Sequence, residues 1–119
     1  MLRDFFLGFI KIHILHHADV EPVYGLALIQ ELRRHGYELS PGTLYPVLHS
    51  LEREGYLVRD DRVVGGKRRK YYAITAAGRS QLHEAREKIG ELVTEVVQGH
   101  GPRHLPEPPD AESGAEIDE

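Results

Sequence analysis

Apolar side chains in the first half of the chain recur with the spacing of α-helices. Residues 2–17 are apolar on nearly every side, which is typical of a helix that is covered from several directions. Residues 23–34 carry an apolar stripe on one face, and Gly36 follows as a usual helix end. A third helix is expected to begin at Pro41, with Ser40 as its N-cap. The pattern therefore predicts three helices in the first half.

The second half begins with two short runs rich in Tyr, Val and Ile. These runs, 56–64 and 70–75, flank Gly65 and Gly66, and a pair of glycines is a strong signal for a hairpin turn. A last helix is expected to reach about Gly99. Its apolar residues recur at spacings of three and four, as in the contact seam of a coiled coil: Leu82, Ala85, Ile89, Leu92 and Val96. We therefore predict a mainly α fold with a small β-hairpin, a winged helix-turn-helix followed by a C-terminal helix.

The composition limits the chain to one small domain. It has 119 residues, of which 40% are hydrophobic and 29% charged, and it contains no cysteine. The lack of cysteine excludes disulfide frameworks and thiolate chemistry and fits a reducing cytosol. The most apolar stretch, 5–15, is too short to span a bilayer, and a signal peptide is not expected. We expect a cytoplasmic protein without membrane contact.

The net charge of −4 is unevenly distributed along the chain. Residues 100–119 hold one Arg and six carboxylates, a formal charge of −5, which leaves +1 on the first 99 residues. Residues 62–70 hold five cations and no acid. A phosphate backbone responds to such a local positive potential. The tail, rich in proline and acid, is expected to be disordered.

Two helices joined by a tight turn and followed by a basic hairpin are the parts of a DNA-binding fold. The second helix of the pair enters the major groove, and the hairpin tip meets phosphates or the adjacent minor groove. The residues expected to contact DNA are Ser40, Pro41, Gly42, Thr43, Tyr45, His49, Lys67, Arg68, Arg69 and Tyr71 or Tyr72. Tyr45 could instead belong to the core, and the basic run could be only a solvated surface.

Several motifs resemble the short form of the PadR family of transcriptional regulators. They are the run Ser40-Pro41-Gly42-Thr43-Leu44-Tyr45-Pro46-Val47-Leu48, the pair Tyr24-Gly25, and the segments Lys70-Tyr71-Tyr72 and Ile74-Thr75-Ala76-Ala77-Gly78. The wing tip departs from the family pattern, because no proline lies between its basic residues. The resemblance implies a dimeric transcription factor, often a repressor released by a small ligand, and it adds Tyr24 to the expected DNA contacts.

Two helices are expected to hold this homodimer together. The first helix lacks sufficient cover in so small a domain, whereas the last helix could also pack inside the monomer. The expected interface residues are Leu2, Phe5, Phe6, Phe9, Leu82, Ala85, Ile89, Leu92 and Val96. The predicted organisation is a DNA-binding domain with an N-terminal dimerisation helix over 1–75, a dimerisation helix over 76–99, and a disordered acidic tail over 100–119.

An effector and a metal ion are further candidates for binding. An effector between the first and last helices would meet Phe9, His13, Ile89 and Val93, a lining that suits a flat aromatic or other apolar molecule. A fully packed interface without a cavity is the alternative. His13 and His17, with His16 beside them, have the spacing of metal ligands on one helical face, but the sequence offers no third ligand for that face.

Other functional classes find less support in the sequence. There is no phosphate-binding glycine loop, no HExxH motif and no serine in a nucleophile elbow, so neither an enzyme nor a cofactor is expected. The alternatives are a metal-responsive sensor and a winged helix that assembles proteins without binding DNA. Five cations within nine residues argue against the assembly module.

Overall fold

The computed structural model describes residues 1–101 and 104–108. The elements in chain order are α1 (Leu2–Val20), β1 (Val23–Tyr24), α2 (Gly25–Arg34), α3 (Pro41–Arg53), β2 (Leu57–Val64), β3 (Lys67–Ile74), α4 (Ala76–Leu92) and a π-helical turn (Val93–Val97). The predicted winged helix-turn-helix with a C-terminal helix is confirmed by four helices and an antiparallel sheet.

The sheet has a third strand that the sequence pattern did not predict. Val23 and Tyr24 were expected to begin the second helix, but they form the short strand β1 at the edge of β3, in the order β1-β3-β2. Val23 pairs with Tyr72, and Tyr24 pairs with Tyr71. Tyr24 keeps an extended backbone (φ −130°, ψ 158°), and α2 begins at the following residue. Cross-strand pairing to a distant segment thus overrides the local helical spacing.

The hairpin between β2 and β3 is the predicted wing. Gly65 and Gly66 have φ values of 59° and 77°, and two successive positive values are what a type I′ turn requires. The register places Val64 opposite Lys67 across the turn. Strand β3 begins three residues earlier than predicted. The basic residues of the wing therefore lie on a paired strand.

The core lies between α1, α2, α3, the first turns of α4 and one face of the sheet. Its buried side chains are Ile10, Ile14, Leu15, Ala18, Val23, Leu28, Ile29, Leu32, Leu44, Val47, Leu48, Leu51, Leu57, Tyr72, Ile74 and Leu82. Leu82, predicted at the dimer interface, is 1% exposed and packs within its own chain, so that prediction was wrong for this residue. Tyr72 is also buried, because alternation along β3 turns it toward the core, and it cannot contact DNA.

The start of α4 is fixed to the base of the wing. The Thr75 hydroxyl accepts a hydrogen bond from the Gly78 backbone N–H (3.0 Å) and donates one to the Gly55 carbonyl oxygen (2.6 Å). The threonine thus caps α4 and ties it to the end of α3. An ion pair between Arg79 and Asp19 (2.9 Å) adds a contact between α4 and α1.

By their contacts, residues 1–87 form one compact unit and residues 88–119 another. The second unit begins with the last residues of α4. The predicted α-helix to Gly99 is interrupted, since the π-helical turn follows Leu92, in a segment of β-branched residues that fit a helix less well. None of the helices in the described residues has the length and apolarity to cross a membrane. The domain division into 1–75, 76–99 and 100–119 stays a prediction, and most of the predicted disordered tail (102, 103 and 109–119) lies outside the described residues.

Candidate DNA interface

The first turn of α3 is open to solvent. Ser40, Pro41, Gly42 and Thr43 are all exposed. Ser40 occupies the predicted N-cap position, but among the described residues its hydroxyl contacts the Thr43 hydroxyl (Oγ–Oγ1 3.4 Å) instead of capping a helix N–H. Two neighbouring hydroxyl groups at the start of a helix can donate to or accept from base edges and phosphates.

The orientation of α3 is fixed by its buried face. Leu44, Val47, Leu48 and Leu51 anchor the helix in the core. Because these residues occupy the inward positions, the first-turn hydroxyls and the exposed His49 face away from the core. The apolar side of α3 therefore packs in the core and fixes the direction in which its polar side faces solvent.

Tyr45 joins α3 to the start of α2. Its ring is half-buried and packs against the core. A Cβ atom built on Gly25 would lie 2.5 Å from the Tyr45 hydroxyl oxygen, so only glycine permits this approach. The ring of Tyr45 thus packs on the core, and the residue also lines the groove described below. Its contact with DNA stays a prediction.

The charges of the wing fall into paired and free groups. At its base, Arg59 lies 3.5 Å from Asp61, and Arg62 lies 3.0 Å from Asp60. For Lys67, Arg68, Arg69 and Lys70, no carboxylate of the described residues comes within 4.0 Å. The basic run seen in the sequence thus contains one neutralised cation, Arg62, and four cations that lack an anionic partner.

A groove of about 400 Å³ runs between the start of α2, the outward side of α3 and β3. Its lining residues are Tyr24, Gly25, Leu26, Tyr45, His49, Arg68, Arg69 and Lys70. Five residues predicted to contact DNA therefore meet in one place: Tyr24, Tyr45, His49, Arg68 and Arg69. Lys70 belonged to the basic run but was not predicted as a contact. The groove combines polar side chains from the helix with cations from the wing.

The other predicted contacts lie outside this lining. Lys67 is exposed beside the hairpin turn. Tyr71 is half-buried and packs against Tyr24, with 5.3 Å between the ring centroids. This packing was missed because it depends on β1, which the sequence pattern did not reveal.

The apolar residues predicted at a dimer interface lie mostly on the surface. Phe5 and Phe6 are 46% and 45% exposed, Leu2 is exposed and Phe9 is half-buried. Phe5 contacts both other phenylalanine rings, at centroid distances of 5.8 Å to Phe6 and 4.5 Å to Phe9. The beginning of α1 thus carries an aromatic cluster, here defined as Phe5, Phe6 and Phe9.

Exposure of the predicted interface residues increases toward the C-terminal end of the last helix. Ala85 and Ile89 are half-buried, whereas Leu92, Val93 and Val96 are exposed. For the predicted effector lining, Phe9 and His13 belong to the first compact unit, and Ile89 and Val93 to the second. That effector lining stays a prediction.

Histidines of α1 and α2 meet around Glu31. The Glu31 Oε2 atom lies 3.0 Å from His35 Nε2 and 3.5 Å from His17 Nε2. The ring of His13 lies 5.1 Å from that of His35. In the part of the chain that the structure describes, no three His, Asp or Glu side chains are arranged to hold a metal ion. Among the described residues, His13 and His17 therefore have no third side chain placed to complete a metal site.

The half-buried histidines His13 and His17 make stability depend on pH. Burial lowers the pKa of His13 and His17 below 6.5 in the folded chain. Around and below that value the unfolded chain binds more protons, so the free energy of unfolding should fall as the solution is acidified from about pH 7.5 to about pH 5.5. Denaturant unfolding at several pH values measures this slope. Replacing both His13 and His17 with Gln should flatten it, while the exposed control His83→Gln should not; equal slopes in both variants would contradict the assignment.

Comparisons with known proteins agree with this architecture. The family model described as "Transcriptional regulator PadR-like family" matches residues 14–84. The chain is 51% identical, over 98 residues, to transcriptional regulator Rv3488 of Mycobacterium tuberculosis, covering 82% of this chain and 92% of that protein.

Solved structures show the same fold. A PadR-like transcriptional regulator from Bacillus cereus has 33% identity and a TM-score of 0.71, covering 76% of this chain and 90% of that one. A PadR family transcriptional regulator from Eggerthella lenta has 33% identity and a TM-score of 0.70, covering 82% and 87%. The chain therefore belongs to the PadR family of transcriptional regulators, which are DNA-binding proteins and not enzymes.

Proposed function

We propose that this regulator binds specific sites in duplex DNA as a homodimer. In this proposal α3 enters the major groove, and the wing follows the backbone or the adjacent minor groove. The observation that carries it is the groove in which α3 side chains lie beside wing cations that have no carboxylate partner among the described residues. DNA phosphates supply the missing anions, whereas a protein assembly module has no need for them.

The aromatic cluster supports the homodimer. Exposed phenylalanine side chains in contact with one another form an apolar patch, and such patches mark interaction sites on small proteins. A two-fold symmetric dimer would bring two copies of α3 to successive major-groove faces about 34–36 Å apart, one turn of DNA. Each half of a palindromic operator would then meet one subunit.

The proposal extends to repression that a small ligand releases, as the family resemblance implies. A ligand changes DNA affinity only when it prefers one arrangement of the dimer over another. The aromatic cluster is the part of the described structure that suits a flat aromatic or other apolar ligand, because it offers three ring faces on the helix proposed to contact the partner.

Removal of the Thr43 hydroxyl should change sequence preference more than total affinity. Loss of one base contact costs on the order of 1–3 kcal/mol at the matched site. We expect Thr43→Ala to show this loss on a duplex from the chain's own promoter and a much smaller loss on random duplex. Binding isotherms on both duplexes measure the difference. Ser80→Ala removes an exposed hydroxyl from α4 and serves as the matched control.

Equal losses on the two duplexes would show that Thr43 contacts only the phosphate backbone. If Thr43→Ala binds both duplexes as tightly as the wild type does, the start of α3 does not contact DNA, and the proposed docking geometry is contradicted.

A further inference from the structure

Four side chains on one face of the wing sheet contact one another in the series Arg62, Tyr71, Tyr24 and Arg69, here called the stack. Strand pairing sets Arg62 directly opposite Arg69. It also places Tyr24 directly opposite Tyr71, and their ring centroids lie 5.3 Å apart. The Arg62 guanidinium carbon lies 4.5 Å from the centre of the Tyr71 ring. The Arg69 guanidinium carbon lies 4.7 Å from the centre of the Tyr24 ring. Each arginine is thus within the range of a cation–π interaction.

The two ends of this stack differ in charge. At one end, Arg62 Nε donates a hydrogen bond to Asp60 Oδ2 at 3.0 Å, so this cation is neutralised within the wing. At the other end, Arg69 lies more than 4.0 Å from every carboxylate of the described residues. The stack is therefore anchored at Arg62 and carries its unneutralised charge at Arg69.

The environment of Arg69 also differs from that of its neighbours. Arg68, Arg69 and Lys70 all line the groove, but Arg69 is half-buried there, whereas Arg68, Lys70 and the neighbouring Lys67 are exposed. A half-buried cation without an anion is unfavourable unless its surroundings compensate. The Tyr24 ring supplies part of that compensation and restricts the guanidinium to one edge of the groove. A planar guanidinium held in advance loses less conformational entropy when it forms its hydrogen bonds.

We propose that Tyr24 is a positioning residue, which holds the Arg69 guanidinium at the groove edge for contact with a DNA phosphate. The inference rests on the proposed DNA-binding function and deepens it. It changes the role predicted for Tyr24 from the sequence, since the residue acts through Arg69 instead of contacting DNA itself. It also separates Arg69 from Lys67 and Arg68, which have no such support in the described residues.

A double-mutant cycle tests the coupling between ring and guanidinium. Affinity for a duplex from the chain's own promoter is measured for the wild type, Tyr24→Leu, Arg69→Ala and the double variant. Tyr24→Leu should weaken binding about two- to five-fold in the wild-type background, the range of a partly exposed cation–π contact. In the Arg69→Ala background it should have no further effect. An equal loss in both backgrounds would overturn the proposal.

Rescue by phenylalanine separates the two roles of Tyr24. Tyr24→Phe keeps the ring and removes the hydroxyl, so we expect affinity close to that of the wild type. A loss as large as that of Tyr24→Leu would mean that the hydroxyl contacts DNA, and it would overturn the positioning role. Tyr56→Leu removes a half-buried tyrosine outside the groove and should bind as the wild type does.

A second variant tests the same contact from the arginine side. It leaves the Tyr24 ring in place, so a loss of affinity cannot come from misfolding caused by removing that ring. Arg69→Lys keeps the charge but loses the planar stack, and we expect a similar two- to five-fold loss. Unchanged affinity would overturn the proposal. If joint replacement of Lys67, Arg68 and Arg69 by Ala leaves the salt dependence of binding unchanged, the proposed function fails. If that triple variant is impaired while Arg69→Ala alone binds like the wild type, only this inference fails.

Discussion

Replacement of Lys67, Arg68 and Arg69 together with Ala should lower the slope of log affinity against log salt by roughly 2.7. Each phosphate that a cation neutralises contributes about 0.9 to this slope through release of counterions. The three cations have no carboxylate partner among the described residues, so their charge is free to act on DNA. Affinity for operator and random duplex should fall together, because phosphate contacts carry no sequence information.

The measurement is a salt titration of binding to both duplexes. A matched triple variant, with Ala in place of Arg33, Arg86 and Lys88, removes the same charge from exposed positions on α2 and α4 that lie outside the groove. Its slope should remain close to that of the wild type. A wild-type slope in the wing variant, or an equal fall in the control, would remove the wing from the interface.

Phe5→Asp should convert the proposed dimer to a monomer and abolish tight operator binding. A carboxylate in an apolar contact loses its hydration without gaining a partner, which costs several kcal/mol. Operator affinity should fall more than affinity for random duplex, because one subunit can no longer hold the other at the second half-site. Light scattering gives the mass, and binding isotherms give the two affinities.

A control on the same helix separates interface loss from a general effect of charge. Val20→Asp places a carboxylate at the other end of α1, where the side chain is 75% exposed, and it should leave the dimer intact. Leu92→Asp tests the last helix in the same way as Phe5→Asp tests the first. A folded Phe5→Asp variant that stays dimeric would exclude the aromatic cluster from the interface.

The sequence allowed the helix-turn-helix and the wing to be predicted because their signals are local. The stripe of α3 has helical spacing, and the two glycines of the wing turn suit positive φ. Strand β1 was missed because its two residues are defined by pairing with β3, about fifty residues away in the chain, and nothing nearby reports that contact. The stack of Tyr24, Tyr71 and the two arginines was missed for the same reason.

Leu82 shows a second limit of sequence patterns. Spacings of three and four along α4 identify an apolar face, but they do not say whether that face meets a partner or the same chain. The structure places Leu82 in the core and leaves Leu92 and Val96 exposed. Likewise, the basic run gave the position of positive charge but not its pairing. Asp60 lies just outside that run and pairs with Arg62 two residues further along β2, on the same face of the strand.

Selection of bound sequences from a pool of random duplexes tests whether the chain reads duplex DNA as a two-fold dimer. We expect enrichment of an inverted repeat whose half-site centres lie 10–10.5 base pairs apart or a multiple of that spacing, because each subunit of a two-fold dimer reads one half-site with α3. The Thr43→Ala variant should shift the preferred bases within each half-site and leave the spacing unchanged. A pool without enrichment would contradict sequence-specific binding, and one enriched in a single unpaired half-site would contradict binding as a dimer.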